Sequence, residues 1–113
     1  MFLIDIEQKK SFLRSLYSLF MDDKLLTAEE QSIIEIIQKE LFKIDEFDRT
    51  DLVTAKKIAQ EVKNVGDENS IYYLFKVASS STSSKNKVDF FQQVVDELDC
   101  SSLLKDRINS IAP

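Results

Sequence analysis

One glycine and one proline in 113 residues restrict this chain more than any other feature. Sheet-rich folds and nucleotide-binding α/β folds need glycine wherever a tight turn demands a positive φ or a phosphate meets the backbone. A chain with Gly66 alone to supply that freedom is expected to be built from helices. Proline, the strongest helix breaker, occurs only as Pro113. The length suits a single domain over residues 1–113, with one hydrophobic core. Hydrophobic residues at 43% and charged residues at 31% are the proportions of globular material, not of a disordered tail.

Apolar residues recur at helical spacing along most of the chain. Ile6, Leu13, Leu16 and Phe20, widened by Phe12, Tyr17 and Leu19, mark a first helix ending near Asp22. Thr27 then stands three residues before Glu30, at the head of SIIEIIQKELF. That pairing is a capping box: the threonine oxygen accepts a backbone N–H and the glutamate reaches back to the threonine N–H. Ile33, Ile34, Ile37 and Leu41, helped by Ile36, form the inward face of the second helix. The polar linker KIDEFDR leads to a third helix from about Thr50 to Val65, with Leu52, Ala55, Ile58, Ala59 and Val62 inward. Gly66 falls where a helix C-terminus favours a left-handed residue. Asp67 caps a fourth helix, ENSIYYLFKVAS, with Ile71, Leu74, Phe75 and Ala78 inward.

The serine-rich SSSTSSKNK reads as a solvated loop, because serine competes for backbone hydrogen bonds. KVDFFQQVVDEL forms a fifth helix with Val88, Phe91, Val95 and Leu98 inward. Ser101 or Ser102 starts a last helix through Leu103, Leu104, Ile108 and Ile111. Leu13, Leu16, Leu19, Ile33 and Ile37 each have an apolar counterpart 58 residues later, in Ile71, Leu74, Val77, Phe91 and Val95. The expected fold class is therefore all-α: six to seven helices in two pseudo-repeated three-helix units, about 5–66 and 67–113, forming one compact bundle.

The net charge of −5 removes several function classes. Nucleic-acid binding draws its affinity from cations that neutralise phosphates, and no basic block exists here to do so. Anionic membrane surfaces are disfavoured for the same reason. The lone Cys100 cannot form an intramolecular disulfide. MFLIDIEQKK is too short in its apolar run and too acidic for a signal peptide, and no stretch is long enough to cross a bilayer, so a cytoplasmic location without membrane insertion is expected. With no histidine the usual general base and the commonest transition-metal ligand are missing. A zinc site and a glycine-rich phosphate loop are excluded by composition. Cys100 follows DELD, whose carboxylates raise a thiol pKa. No catalytic residue is assigned, and the chain is not expected to be an enzyme.

The carboxylates between the first two helices are the one chemical feature. Asp22, Asp23 and Glu30 supply hard oxygens of the kind that suit Ca2+ or Mg2+. An EF-hand is ruled out by position: counting from Asp22, the sixth residue is Thr27 where glycine is needed, and the twelfth is Ile33 where glutamate is needed. The competing reading is structural, with Thr27 and Glu30 as the cap and Glu29 and Glu30 favouring the helix N-terminus. Phe2, Phe47, Tyr72, Tyr73 and Phe90 fall outside the main stripes. They are either part of a partner-binding patch or packing residues at the edge of the core.

The stretch SLYSLFMDDKLLTAEEQSIIEIIQKEL resembles the first helix–loop–helix of the tellurite-resistance TerB-like domains, a helical family that includes the DjlA N-terminal-like domains. Asp23 matches the family aspartate, Leu26 the hydrophobe, Thr27 the cap and Glu30 the glutamate. Lys24 stands where the family has glycine. In the second half only Asn86 and Asp89 echo the cap and acid. The resemblance implies a two-repeat all-α domain without established catalysis. It implies a stress-associated interaction module with a protein partner yet to be identified, compatible with homo-oligomerisation. It also implies divalent-cation binding through the acidic loop, as a sensor or buffer using Asp22, Asp23 and Glu30. The Lys24 ammonium beside that loop opposes a second cation there.

Overall fold

Side-chain caps set where the helices begin. The computed structural model describes residues 5–21, 26–47, 54–80 and 85–111. Among them lie six α-helices and no strand: α1 Ile6–Phe20, α2 Ala28–Glu35, α3 Ala55–Lys63, α4 Glu68–Ser80, α5 Lys85–Glu97 and α6 Ser102–Ile111. A π-helical segment, Ile36–Leu41, continues α2 without a break. Asp5 caps α1 by accepting from Glu7 N–H at 2.8 Å. Asp67 caps α4 through Ser70 N–H at 2.8 Å, as its position in the sequence implied. Of the two serines at the head of α6, it is Ser101 that accepts from Leu104 N–H, at 3.1 Å. The third helix starts later than its apolar spacing suggested. Thr54 is its N-cap and accepts from Lys57 N–H at 3.2 Å, while Leu52 lies outside the described residues.

The core is arranged around α1. Phe12, Leu13, Leu16, Leu19 and Phe20 have no exposed surface, and each such side chain contributes about 1.5–3 kcal/mol on leaving water. Ser11, Ser15 and Ser18 of the same helix are buried as well, so α1 is covered over most of its circumference. It packs against α2, α3 and α4; α3 in turn packs on α5, and α4 on α6. The bundle has a radius of gyration of 12.8 Å, close to the roughly 13 Å expected for a folded chain of this length. Ile58, Ala59 and Val62 close the α3 side, Ile71, Leu74, Phe75 and Ala78 the α4 side, and Phe91, Val94, Val95 and Leu98 the α5 side. Gly66, with φ 122°, makes the turn from α3 to α4 in a region that L side chains rarely adopt.

The second helix departs from its expected face. Ile34 and Ile37 are buried, but Leu41 is 49% exposed and Ile36 is 58% exposed. The cause is the π-helical segment. Phe42 N–H bonds Ile37 O at 2.8 Å, a five-residue step in place of the four of an α-helix. The wider turn places Phe42, not Leu41, on the inward face. There Phe42 is buried and its ring meets Phe12 edge-on at 5.5 Å. Lys43 ends the segment with φ 56°, and Ile44 N–H returns to Gln38 O at 2.9 Å. Two other apolar residues in the expected helices also face outward: Ile6 at the first turn of α1, and Leu103, next to the buried Leu104 on α6.

Each half contributes three α-helices, and all ten residues paired by the 58-residue offset are buried or half-buried. The third helices break the pattern: α3 starts at Ala55 and α6 at Ser102, so the two do not share the offset. If the π register governs this region, Phe42→Ala should cost about 2 kcal/mol, whereas Leu41→Ala should cost under about 1 kcal/mol. Urea denaturation of the two variants checks the difference; the α spacing read from sequence predicts the opposite order.

Candidate functional site

The turn before α2 forms from a short reciprocal set of bonds. Thr27 Oγ1 accepts from Glu30 N–H at 3.0 Å, and Glu30 Oε1 accepts from Thr27 N–H at 2.9 Å. Both halves of the capping box are present, as the sequence spacing implied. Glu30 is fully buried. A buried carboxylate needs bonded partners to offset its lost hydration, and the Thr27 N–H is one of them. Leu26 packs against the core beside it, which fixes the direction from which the chain enters the helix.

Asp22 and Asp23 lie outside the described residues, as does Lys24. Of the proposed cation ligands only Glu30 is therefore placed, and its Oε1 faces a backbone donor. Among the described residues no group of three or more acidic, cysteine or histidine side chains is disposed to hold a metal ion. The acidic echo in the second half also changes. Asn86 is already inside α5, past the position an N-cap would occupy.

The remaining polar contacts tie helices to one another. Arg14 of α1 pairs with Glu61 of α3, and Asn64 also reaches Glu61, at 3.5 Å. Ser101 donates through Oγ to Glu68 at 2.8 Å and through N–H at 3.2 Å, joining the head of α6 to the head of α4. Arg107 lies 4.0 Å over the Tyr72 ring and donates to Asn69 at 3.2 Å. Gln92 of α5 donates to Asn109 of α6 at 2.5 Å. Gln38, buried in the π-helical segment, donates to Asp45 O at 2.8 Å and fastens the chain after the turn. It borders an open surface depression of about 280 Å³ with Asp45, Glu46 and Phe47.

Phe47, Tyr72, Tyr73 and Phe90, considered as a partner-binding patch, are half-buried side chains packed on the core. Tyr73 lies 5.9 Å from Phe12 in a tilted ring pair. Phe2 is outside the described residues. The serine run begins inside α4, where Ser79 and Ser80 donate back to Lys76 O and Val77 O at 3.0 and 2.6 Å; residues 81–84 are outside the described set. Residues that spacing did not single out are Ser11, Ser15 and Ser18. Three small side chains at helical spacing on one face were the available signal, because they let a neighbouring helix approach closely.

Cys100 is half-buried beside Leu98 and α6. Burial pushes its thiol up from the ordinary value; Lys105 opposes that push, while Glu68 and Asp99 add to it. The sequence pointed to the acidic neighbours, but desolvation leads. No helix among the described residues is long and apolar enough to cross a membrane. The chain matches no family model, no curated protein and no solved structure.

Two outcomes test this region. Thr27→Ala should lower stability by about 1 kcal/mol through the lost cap, read by urea denaturation. The Cys100 thiolate, disfavoured in the fold, should make alkylation by iodoacetamide slower at pH 8 than for a free thiol. The rate should rise with pH through a midpoint above the ordinary thiol value, and urea should restore ordinary behaviour. A midpoint at or below the free-thiol value would contradict the desolvated setting. By the same linkage, a raised thiol pKa means that Cys100 lowers stability as pH climbs past the unfolded value toward the folded one.

Proposed function

We propose that this chain is a non-catalytic helical interaction module of the TerB-like kind, acting in the cytoplasm through contact with another protein, in a stress- or tellurite-resistance setting. The observation that carries the reading is the turn before α2. The motif residues Leu26, Thr27 and Glu30 serve there as one structural unit: a core contact, a cap and a buried carboxylate bonded to the cap. That use agrees with the helix–loop–helix to which the stretch bears resemblance. The polar side chains that define helix starts and inter-helix ties are committed to architecture, which suits a protein that presents a surface.

Divalent-cation binding through Asp22, Asp23 and Glu30 is the alternative. The bond from Thr27 N–H to Glu30 Oε1 weighs against it, because a metal would have to compete with the cap for that oxygen. Asp89 of the second half is the remaining acid of the family pattern, without an N-cap at Asn86 before it.

Affinity capture from the native host, followed by reconstitution with the purified partner, should give a stoichiometric complex in size-exclusion chromatography. Titration calorimetry with millimolar calcium or magnesium should show no binding heat. Metal heat that disappears in Asp22→Asn and Asp23→Asn, with no protein complex formed, would contradict the interaction module and favour the cation reading.

A further inference from the structure

Residues 36–43 hold features that favour two different helical registers. In the observed one, Phe42 N–H bonds Ile37 O at 2.8 Å, Phe42 is buried edge-on to Phe12, and Leu41 is 49% exposed. That register has a visible cost at its end. Lys43 sits at φ 56°, the only non-glycine residue at positive φ among the described residues, where a long side chain crowds its own backbone. The sequence meanwhile suits a plain α-helix. Ile33, Ile37 and Leu41 stand four apart, and IIQKEL contains no residue that breaks a helix. At about 100° per residue, an α-helix would bring Leu41 to about 40° from Ile37, onto the inward face, and would turn Phe42 to about 140° from it.

We infer that residues 36–43 form a two-position register switch, in which the observed π register, plugged by Phe42, exchanges with an α register plugged by Leu41. Opposing contributions keep the two close in free energy. The Phe12–Phe42 edge contact and the Lys9 ammonium 6.0 Å from the Phe42 ring hold the π register. The left-handed Lys43 and the exposed Leu41 favour leaving it. A shift changes three things together: an aromatic ring replaces an aliphatic side chain at the surface, Lys43 leaves its left-handed conformation, and the Gln38 bond to Asp45 O breaks. The depression bordered by Gln38, Asp45, Glu46 and Phe47 is remodelled with it. Any ligand that binds one of the two surfaces better shifts the balance by its differential affinity. This inference does not depend on the interaction-module reading.

Backbone relaxation dispersion tests it. The amides of Leu41, Phe42, Lys43 and Ile44 should exchange on the microsecond-to-millisecond scale with one common rate. Lys43→Gly removes the left-handed penalty of the π register alone and should lower the minor population by roughly tenfold. Leu41→Gln removes the plug of the α register alone and should likewise flatten the dispersion. Both positions are exposed, so both variants keep the fold. Flat profiles at all four amides in the parent, or dispersion that survives either substitution, overturns the switch.

Discussion

The burial of α1 on most of its surface is the constraint on which the other helices depend. Five large apolar side chains and three serines of one fifteen-residue helix are out of water. No single neighbour can cover such a helix, so α2, α3 and α4 must each occupy a side of it. The outer helices then follow: α5 finds its place on α3 and α6 on α4. The serines have a part in this. Ser18 donates to Arg14 O at 2.8 Å, and a hydroxyl bonded within its own helix can be buried at little cost, whereas Ser15 Oγ is buried without a hydrogen-bond partner. Their small size leaves room for the adjoining helix where a leucine would hold it off.

The polar residues complete the arrangement at the helix ends. Asp5, Thr27, Thr54, Asp67 and Ser101 each accept a backbone N–H that would otherwise lack a partner at the start of a helix. Glu68 and Arg107 fasten α6 to α4, and Arg14 with Glu61 fastens α3 to α1. Surface ion pairs contribute little on their own, so these contacts set which helix lies against which more than they set the depth of the energy well. With these side chains tied at helix ends and between helices, the described residues still leave open surface depressions, among them the one beside Gln38.

The sequence made the helices legible because their signals are local. Caps announce themselves by residue type and spacing, as at Thr27 with Glu30 and at Asp67, and the single glycine marked the turn at 66. The buried face of α4 followed from apolar periodicity, as did Ile58, Ala59 and Val62 of α3 and Phe91, Val95 and Leu98 of α5; Val65 and Val94 were not singled out, and the side chain of Val88 lies outside the described set. What failed was periodicity carried across a change of helix type. Leu41 has α spacing, yet the five-residue step to Phe42 moves it outward. No single residue in IIQKEL declares a π turn; it arises where Phe42 finds the Phe12 ring, which is a tertiary contact. Thr54 shows the same limit on a smaller scale, since an apolar stripe running from Leu52 does not reveal which threonine caps. For the site, the cap role of Glu30 was legible, whereas its complete burial depended on packing that one sequence does not display.

Native-state hydrogen exchange measures the central claim, that α1 is the element around which the bundle closes. The amides from Phe12 to Phe20 should exchange only through global unfolding, with a protection free energy equal to the unfolding free energy from urea and a slope on denaturant equal to the global one. The first turn of α6, beside the exposed Leu103, should exchange through smaller openings. Protection of Leu13, Leu16 and Leu19 well below the global value, with α1 opening while the rest of the bundle stays closed, would contradict the account.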